Sequence, residues 1–226
     1  MSSDAQRRAA NHAVLVVDPF LKDAIENIMR EGQIGEVSET TFPDVIFTKS
    51  WSNDVALLTF ADSQYLAEAI LELKVLGMRK IVFLDVATAL KPGLKVSQAY
   101  PVYATSTPVK EEFYVPLVPS MQLLNAVVEL LEPEREVIAF TSRLPPQDVA
   151  MTDLLKKKGF DVIDKNSGLV YEVCKGSVEC VTLDLIDSNL AKGIEKKTAW
   201  EEGGKYYSSI LDTLTDLFKK LLSAEL

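Results

Sequence analysis

The stretch LGMRKIVFLDVATALKPGLKVSQAYPVYAT, Leu76–Thr105, decides how this chain is read. An amphipathic helical pattern ends at Leu76-Gly77, and a short apolar run follows, Ile81–Leu84. A run that short, between a glycine and a polar segment, reads as a strand buried on both faces in the middle of an α/β sheet. Asp85–Leu94 reads as a loop and Tyr100–Ala104 as the next strand. Open α/β sheets bind ligands just outside the carboxyl ends of their strands. Asp85, Val86, Ala87 and Thr88 are expected at such an end, with any site built around them.

The flanking sequence alternates in the same way. Upstream, Ala13–Val17 reads as a first buried strand, closed by Asp18-Pro19. A helix over Phe20–Glu31 follows, with Leu21, Ala24, Ile25 and Ile28 at helical spacing. Val45–Lys49 and Val55–Phe60 read as a hairpin around Ser52-Asn53-Asp54, with Trp51 beside the turn. Ser63 is placed to cap a helix that runs to Leu76. Downstream, Pro108–Pro119 reads as an ordered loop and Met121–Leu131 as a helix. Glu136–Thr141 reads as a strand, Gln147–Lys158 as a helix and Phe160–Ile163 as a short strand. A helix from about Ser167 to Lys175 precedes Val178–Ile186, a strand of mixed exposure. Asp187–Gly203 reads as a loop before a C-terminal amphipathic helix carrying Ile210, Leu214, Leu217, Phe218 and Leu221 on one face. The expected architecture is a three-layer α/β/α domain with a mixed, mostly parallel sheet, spanning 1–226 with a frayed segment at 1–11.

Composition narrows the function. Twenty-four basic residues stand against 33 acidic ones, a net charge of -9. That balance opposes nucleic-acid and anionic-membrane partners, which need a basic footprint. No apolar run reaches the ~20 residues of a membrane span. Arg7 and Arg8 precede an apolar run broken at Asp18-Pro19, which does not read as a secretory signal. A cytoplasmic location is expected. Cys174 and Cys180 are then expected as buried free thiols, with a disulfide as the alternative. One histidine and no Cys-x-x-Cys spacing leave no basis for a zinc site. No cofactor is implied.

Five segments, in order and spacing, resemble the nucleoside phosphorylase family, which includes the purine nucleoside and uridine phosphorylases. VVDPFLKDAIENI, Val16–Ile28, is similar to the family's Gly-Asp-Pro-x-Arg loop and helix. FADSQYLAEAILELKVLGMRKIVFL, Phe60–Leu84, resembles the segment holding Met-Gly-Gly-Pro-Ser and then Arg-x-Gly-Thr. ATALKPGLKVSQAYPVYAT, Ala87–Thr105, is nearly the family's Gly-Ala-Leu-x-Pro-x-Leu-Lys-Val-Gly-Asp run. IDKNSGLVYEVC, Ile163–Cys174, lies where Glu-Met-Glu-Ser-Ala is expected. LIDSNLAKG, Leu185–Gly193, lies where Val-Ser-Asp-Asn-Leu-Ala-Lys-Gly is expected. The resemblance covers Val14 to Leu222 and implies cleavage of an N-glycosidic bond, with dimers or hexamers that share residues across the dimer contact. A homo-oligomer is therefore expected, or an assembly with a paralogue.

The departures fall on the chemistry. Val17 replaces the glycine of the phosphate loop, and Phe20, Leu21 and Lys22 follow Pro19 without an arginine. Asp85 stands near the strand end where the family carries arginine and threonine, and a carboxylate there repels phosphate. Asp62-Ser63-Gln64-Tyr65 lacks the glycines of a backbone cradle. Asp164-Lys165-Asn166 replaces the ribose-binding Glu-Met-Glu. Ser188 occupies the place of the base-protonating aspartate, with Asp187 one residue earlier. The resemblance therefore assigns Asp187 as the candidate acid. It assigns Asp85, Asp164, Asn166 and Ser188 as candidate nucleoside ligands, with Phe113 and Tyr114 as a stacking wall. His12 and Arg143 are weaker candidates for a base and an anion ligand, and Lys165 could pair with Asp164. Two classes of function follow. One is a non-catalytic relative that binds a nucleoside or nucleobase, or serves as a structural subunit. The other is an enzyme that cleaves nucleosides with phosphate or with water, Asp85 positioning the water. The scarcity of phosphate ligands favours the first.

Overall fold

The computed structural model describes residues 11–31, 38–40, 47–52, 55–107, 116–142 and 149–226, with the backbone alone for 38–40 and 47–52. In chain order the strands are β1 His12–Val16, β2 Ser38–Thr40, β3 Phe47–Ser52, β4 Ala56–Ala61, β5 Lys80–Ala89, β6 Ala99–Ser106, β7 Pro116–Leu117, β8 Val137–Thr141, β9 Val162–Asp164 and β10 Glu179–Asn189. The helices are α1 Pro19–Arg30, α2 Leu66–Val75, α3 Met121–Leu131, α4 Val149–Lys157, α5 Ser167–Cys174, α6 Lys196–Ala199 and α7 Lys205–Ser223.

The sheet runs β10-β6-β8-β9-β5-β1-β4-β3-β2, and β10 pairs a second time with β5. That extra pairing closes β5, β10, β6, β8 and β9 into a ring, a small barrel attached to an open wing of β1, β4, β3 and β2. β5 makes this possible. One of its edges carries β10 along its whole length, while β1 pairs with residues 81–84 and β9 with Thr88 and Ala89. Parallel pairing joins β1 to β4 and β5, β5 to β10, and β8 to β6 and β9. The remaining pairings are antiparallel, five of ten among the described residues, so the sheet is evenly mixed and not mostly parallel.

Local chemistry sets the elements. Asp18 caps α1, its Oδ1 accepting from the amides of Phe20 and Leu21, and Pro19 starts the helix with its φ preset. α1 buries Leu21, Ala24, Ile25 and Ile28, as its spacing predicts. Asp62, not Ser63, caps a 3-10 turn at Ser63–Tyr65 ahead of α2, accepting from the Gln64 amide at 3.1 Å. Ser120 caps α3, which covers the expected residues. α2 packs against α5, while α1 and α3 each pack against α7. The core is continuous from β1 through β4, β5 and β10 to α7.

Three further sequence readings change. β5 continues through Asp85 to Ala89, and β10 through Asp187 to Asn189, where loops are expected. β10 is buried along nearly its whole length instead of being mixed in exposure. Cys174 and Cys180 form a disulfide, Cα–Cα 6.2 Å, rather than two free thiols. The cysteines end α5 and begin β10, so the bridge ties together two elements whose other ends carry the candidate site.

Candidate functional site

The site grows out of the β5–β10 pair. The two strands run parallel with Asp184 opposite Asp85, and the register shifts between Ile186 and Ser188. Asp187 is the extra residue of that bulge, a feature that re-aims a side chain. Beyond it, Ser188 pairs with Thr88, and their hydroxyls stand 2.7 Å apart.

On the face of these strands that packs against α5, polar groups meet in a buried cluster. Asp85, Asp164 and Asp184 are each at most 1% exposed. Asp85 accepts from its neighbour's amide, Val86 N, and from Asn166 Nδ2, both at 2.9 Å. Asp164 accepts from Thr141 Oγ1 at 2.7 Å and from the Ser167 hydroxyl. Thr141 in turn takes the Gly168 amide at 2.9 Å and pairs with Thr105 at 2.8 Å. Asp184 faces Asp164, and its oxygens have no hydrogen-bond donor among the described residues. Burial, then the neighbouring carboxylate of Asp164, pushes Asp85 up to about 7. Burial raises Asp164 too, and raises Asp184 well above the ordinary range, with Asp164 and Asp85 adding repulsion. The cluster therefore holds protons more tightly than exposed carboxyl groups do.

At the mouth of the cleft the charges are paired. Lys196 Nζ lies 3.1 Å from Asp187 Oδ2 and 3.3 Å from Asp18 Oδ2. Asp187 Oδ2 also accepts from Trp200 Nε1 at 3.2 Å, and Oδ1 accepts from Ser188 Oγ at 3.1 Å. Burial raises Asp187, and Lys196, Trp200 and Ser188 offset only part of that. Burial pulls Lys196 down, but Asp187 and Asp18 outweigh it, and its pKa ends above the ordinary value. Phe20 stacks on Trp200 at 5.6 Å between ring centroids, and Lys196 Nζ stands 4.9 Å from the Phe20 ring centre. A cavity of about 370 Å³ opens beside this cluster, lined by Thr88, Ser142, Asp164, Lys165, Asp187 and Lys196 among others.

Asp85, Asp164, Asn166, Asp187 and Ser188 therefore converge, although Asp85 and Asn166 sit behind the cavity wall, bonded to each other. Phe113, Tyr114 and Arg143 lie outside the described residues. Lys165 is exposed and lines the cavity, while Lys22, on α1, does not line it. His12 lies at the amino end of β1, away from the strand ends that bear the cleft. It is buried, bonded through Nε2 to the Leu221 carbonyl at 2.8 Å, and burial draws it down to about 4.

Sequence reading misses Asp184, Lys196 and Trp200. Asp184 had a signal, a single charge inside the apolar run Val181–Ile186. Lys196 and Trp200 had a weaker one, a lysine four residues before a tryptophan, which share a face in a helical turn.

The closed ring, the bulge in β10 and the cleft at the strand ends define the fold of nucleoside phosphorylases and nucleosidases. Purine nucleoside phosphorylase from Toxoplasma gondii, in complex with immucillin-H, matches with a TM-score of 0.71 at 17% identity, covering 96% of this chain and 92% of that one. Futalosine hydrolase of Helicobacter pylori matches at 0.68 and 13% identity, over 93% of this chain and 97% of its own. The 5'-methylthioadenosine/S-adenosylhomocysteine nucleosidase of Helicobacter pylori, with butyl-thio-DADMe-Immucillin-A, matches at 0.69 and 14%, over 96% and 99%. No family model matches the chain. No curated protein matches it significantly in sequence. Likeness at this level of identity establishes the fold and leaves function to the site.

Proposed function

We propose that this chain binds a neutral nucleoside or nucleobase in the cleft and has no phosphorolytic activity. The observation that carries the reading is the Asp18–Lys196–Asp187 cluster. Phosphorolysis needs positive charge and aligned donors around an anion. Here the half-buried Lys196 is shared by two carboxylates, so the three groups sum to one negative charge. Among the described residues, exposed Lys165 is the remaining cation on that cavity wall, next to Asp164 in the chain. Ser188, Thr88 and Ser142 offer neutral hydroxyls to a sugar or base. Asp187 already accepts from Lys196, Trp200 and Ser188, which suits a role in holding the wall together better than protonating a base.

A second reading, hydrolysis of the N-glycosidic bond, draws support from Asp164, a carboxyl group that burial raises to about 6 and that lines the cleft. Two of the structural neighbours are named as a hydrolase and a nucleosidase. In this proposal the chain is a single three-layer domain, since α2 and α5 form one packed group and α1, α3 and α7 another. A cytoplasmic homo-oligomer, dimer or hexamer, is part of the same reading, as is the alternative of assembly with a paralogue.

The test is to incubate the protein with inosine, adenosine, guanosine or uridine, with and without phosphate, and to quantify free base by chromatography. The proposal expects no release under either condition. Phosphate-dependent release would contradict it, and release independent of phosphate would establish the hydrolase.

A further inference from the structure

We infer that the end of the cleft beside Asp18 is a stacking subsite for a planar heterocycle, with the Phe20 ring as its platform. The inference rests on the nucleoside-binding reading above and places the base within it. Phe20 is the first residue after Pro19 in α1 and is 47% exposed, a high value for an aromatic ring at a cleft. Its position is fixed nonetheless. Trp200 stacks on it with an interplanar angle of 26°, and Trp200 is itself anchored by the Nε1 hydrogen bond to Asp187. A platform held this way loses little freedom when a ligand lands on it, which favours affinity.

The space in front of it fits. A cavity of about 730 Å³ is lined by Phe20, Lys196, Lys197, Thr198, Trp200 and Glu201. That lies within the ~300–1,000 Å³ typical of small-molecule sites. Lys196 also lines the cavity at Asp164 and Thr88, so it is common to both linings.

Charge selects the ligand class. Lys196 is shared between Asp18 and Asp187, and exposed Lys197 is matched by exposed Glu201 on the same wall. The surroundings are neutral to slightly negative, so they suit a neutral or cationic ring and disfavour an anion. Aromatic stacking needs only a π-face, while Thr198 and Glu201 offer polar groups to the edge of the ring.

The experiment is a calorimetric titration of the full chain with adenosine and, separately, with ribose. It is run on the wild type and on Phe20→Ala and Phe20→Leu, with tryptophan emission followed in parallel. Phe20 is half exposed, so both variants should fold, and circular dichroism checks this. The expected result is adenosine binding that quenches tryptophan emission, weakened by roughly 3- to 10-fold in Phe20→Ala. Phe20→Leu should fall between the two, and ribose should bind far more weakly than adenosine. Adenosine binding with equal affinity to wild type and Phe20→Ala would overturn the subsite and leave the nucleoside-binding reading standing. Absence of adenosine binding to the wild type at millimolar concentration would overturn both.

Discussion

Asp184 lies directly opposite Asp85 on a parallel strand, and both carboxyl groups are buried. Adjacent residues of paired strands share a face, so the two acids project from the same side of the sheet, where Asp164 is also buried. Asp85 is raised from 3.8 to about 7. A carboxyl group whose folded pKa exceeds its unfolded value adds stability that is complete below the unfolded value and lost as pH rises through the folded one. For Asp85 that window runs from 3.8 to about 7, and Asp184 acts in the same direction. Asp184→Asn keeps the shape, can donate to Asp164 and removes one acid. It should stabilise the fold by roughly 1–3 kcal/mol at pH 8, and the gain should vanish toward pH 4. Urea unfolding of both proteins at the two pH values measures this. An equal effect at both would show that the acids are not desolvated.

Lys196 is the counter-charge for two buried carboxylates, Asp18 and Asp187. Removing it leaves them facing each other without compensation. Lys196→Met should destabilise the protein by about 3 kcal/mol at neutral pH, the usual cost of stranding a buried charge. Adding Asp187→Asn should recover part of that loss, since one stranded charge disappears. A double-mutant cycle by urea unfolding reads the coupling. Additive losses would mean that the lysine belongs to solvent instead of the pair.

These groups also mark where the sequence was and was not legible. The apolar strands and amphipathic helices were readable because burial on one or both faces leaves a pattern. β1, α1, α3 and α7 fall close to the expected places. Asp85 and Asp187 misled the reading, because a charge at the end of an apolar run normally marks a strand leaving the core. Here the buried aspartates are hydrogen-bonded or ion-paired, so β5 and β10 run on past them. Ring closure depends on the second pairing of β10 with β5, a long-range contact with no local signature. Lys196 was hidden for the same reason. Its partner Asp18 is 178 residues away in the chain. The disulfide stands second to free thiols in the sequence because an expected cytoplasmic location argues against it, whereas the pairing follows from α5 and β10 meeting with Cα atoms 6.2 Å apart.

Gly168 is held against two threonines. A Cβ built there would fall well inside contact distance of Thr107 Cγ2 and 3.2 Å from Thr141 Cβ. Its amide also donates to Thr141 Oγ1, which donates to Asp164. Gly168→Ala should therefore cost roughly 1–3 kcal/mol by overpacking. Thr107→Ala in the same chain should restore most of it, because the nearer clash is with that methyl group. Thermal unfolding of the two variants makes the comparison. A neutral Gly168→Ala would show that α5 can shift away from β8 at little cost.

The Cys174–Cys180 bridge closes a short loop, with a sequence separation of 6. Constraining so short a loop in the unfolded chain is worth about 2 kcal/mol. The Cys174→Ala/Cys180→Ala double variant should lose about that amount relative to the oxidised wild type. Reduction with a phosphine should bring the wild type down to match it. Free-thiol titration of unfolded, unreduced protein checks the bridge itself, and two reactive thiols per chain would contradict it.

The central claim is that the cleft is built for a neutral nucleoside and not for phosphate. A thermal-shift titration with adenosine and with inorganic phosphate tests it most directly, the phosphate series being matched in ionic strength with sodium chloride. Ligand that binds the native state alone raises the unfolding midpoint as its concentration passes the dissociation constant. The account predicts that adenosine raises the midpoint progressively and that phosphate does no more than the matched salt. Saturable protection by phosphate beyond that of the salt would contradict it, because the Asp18–Lys196–Asp187 cluster would then be opening to admit an anion.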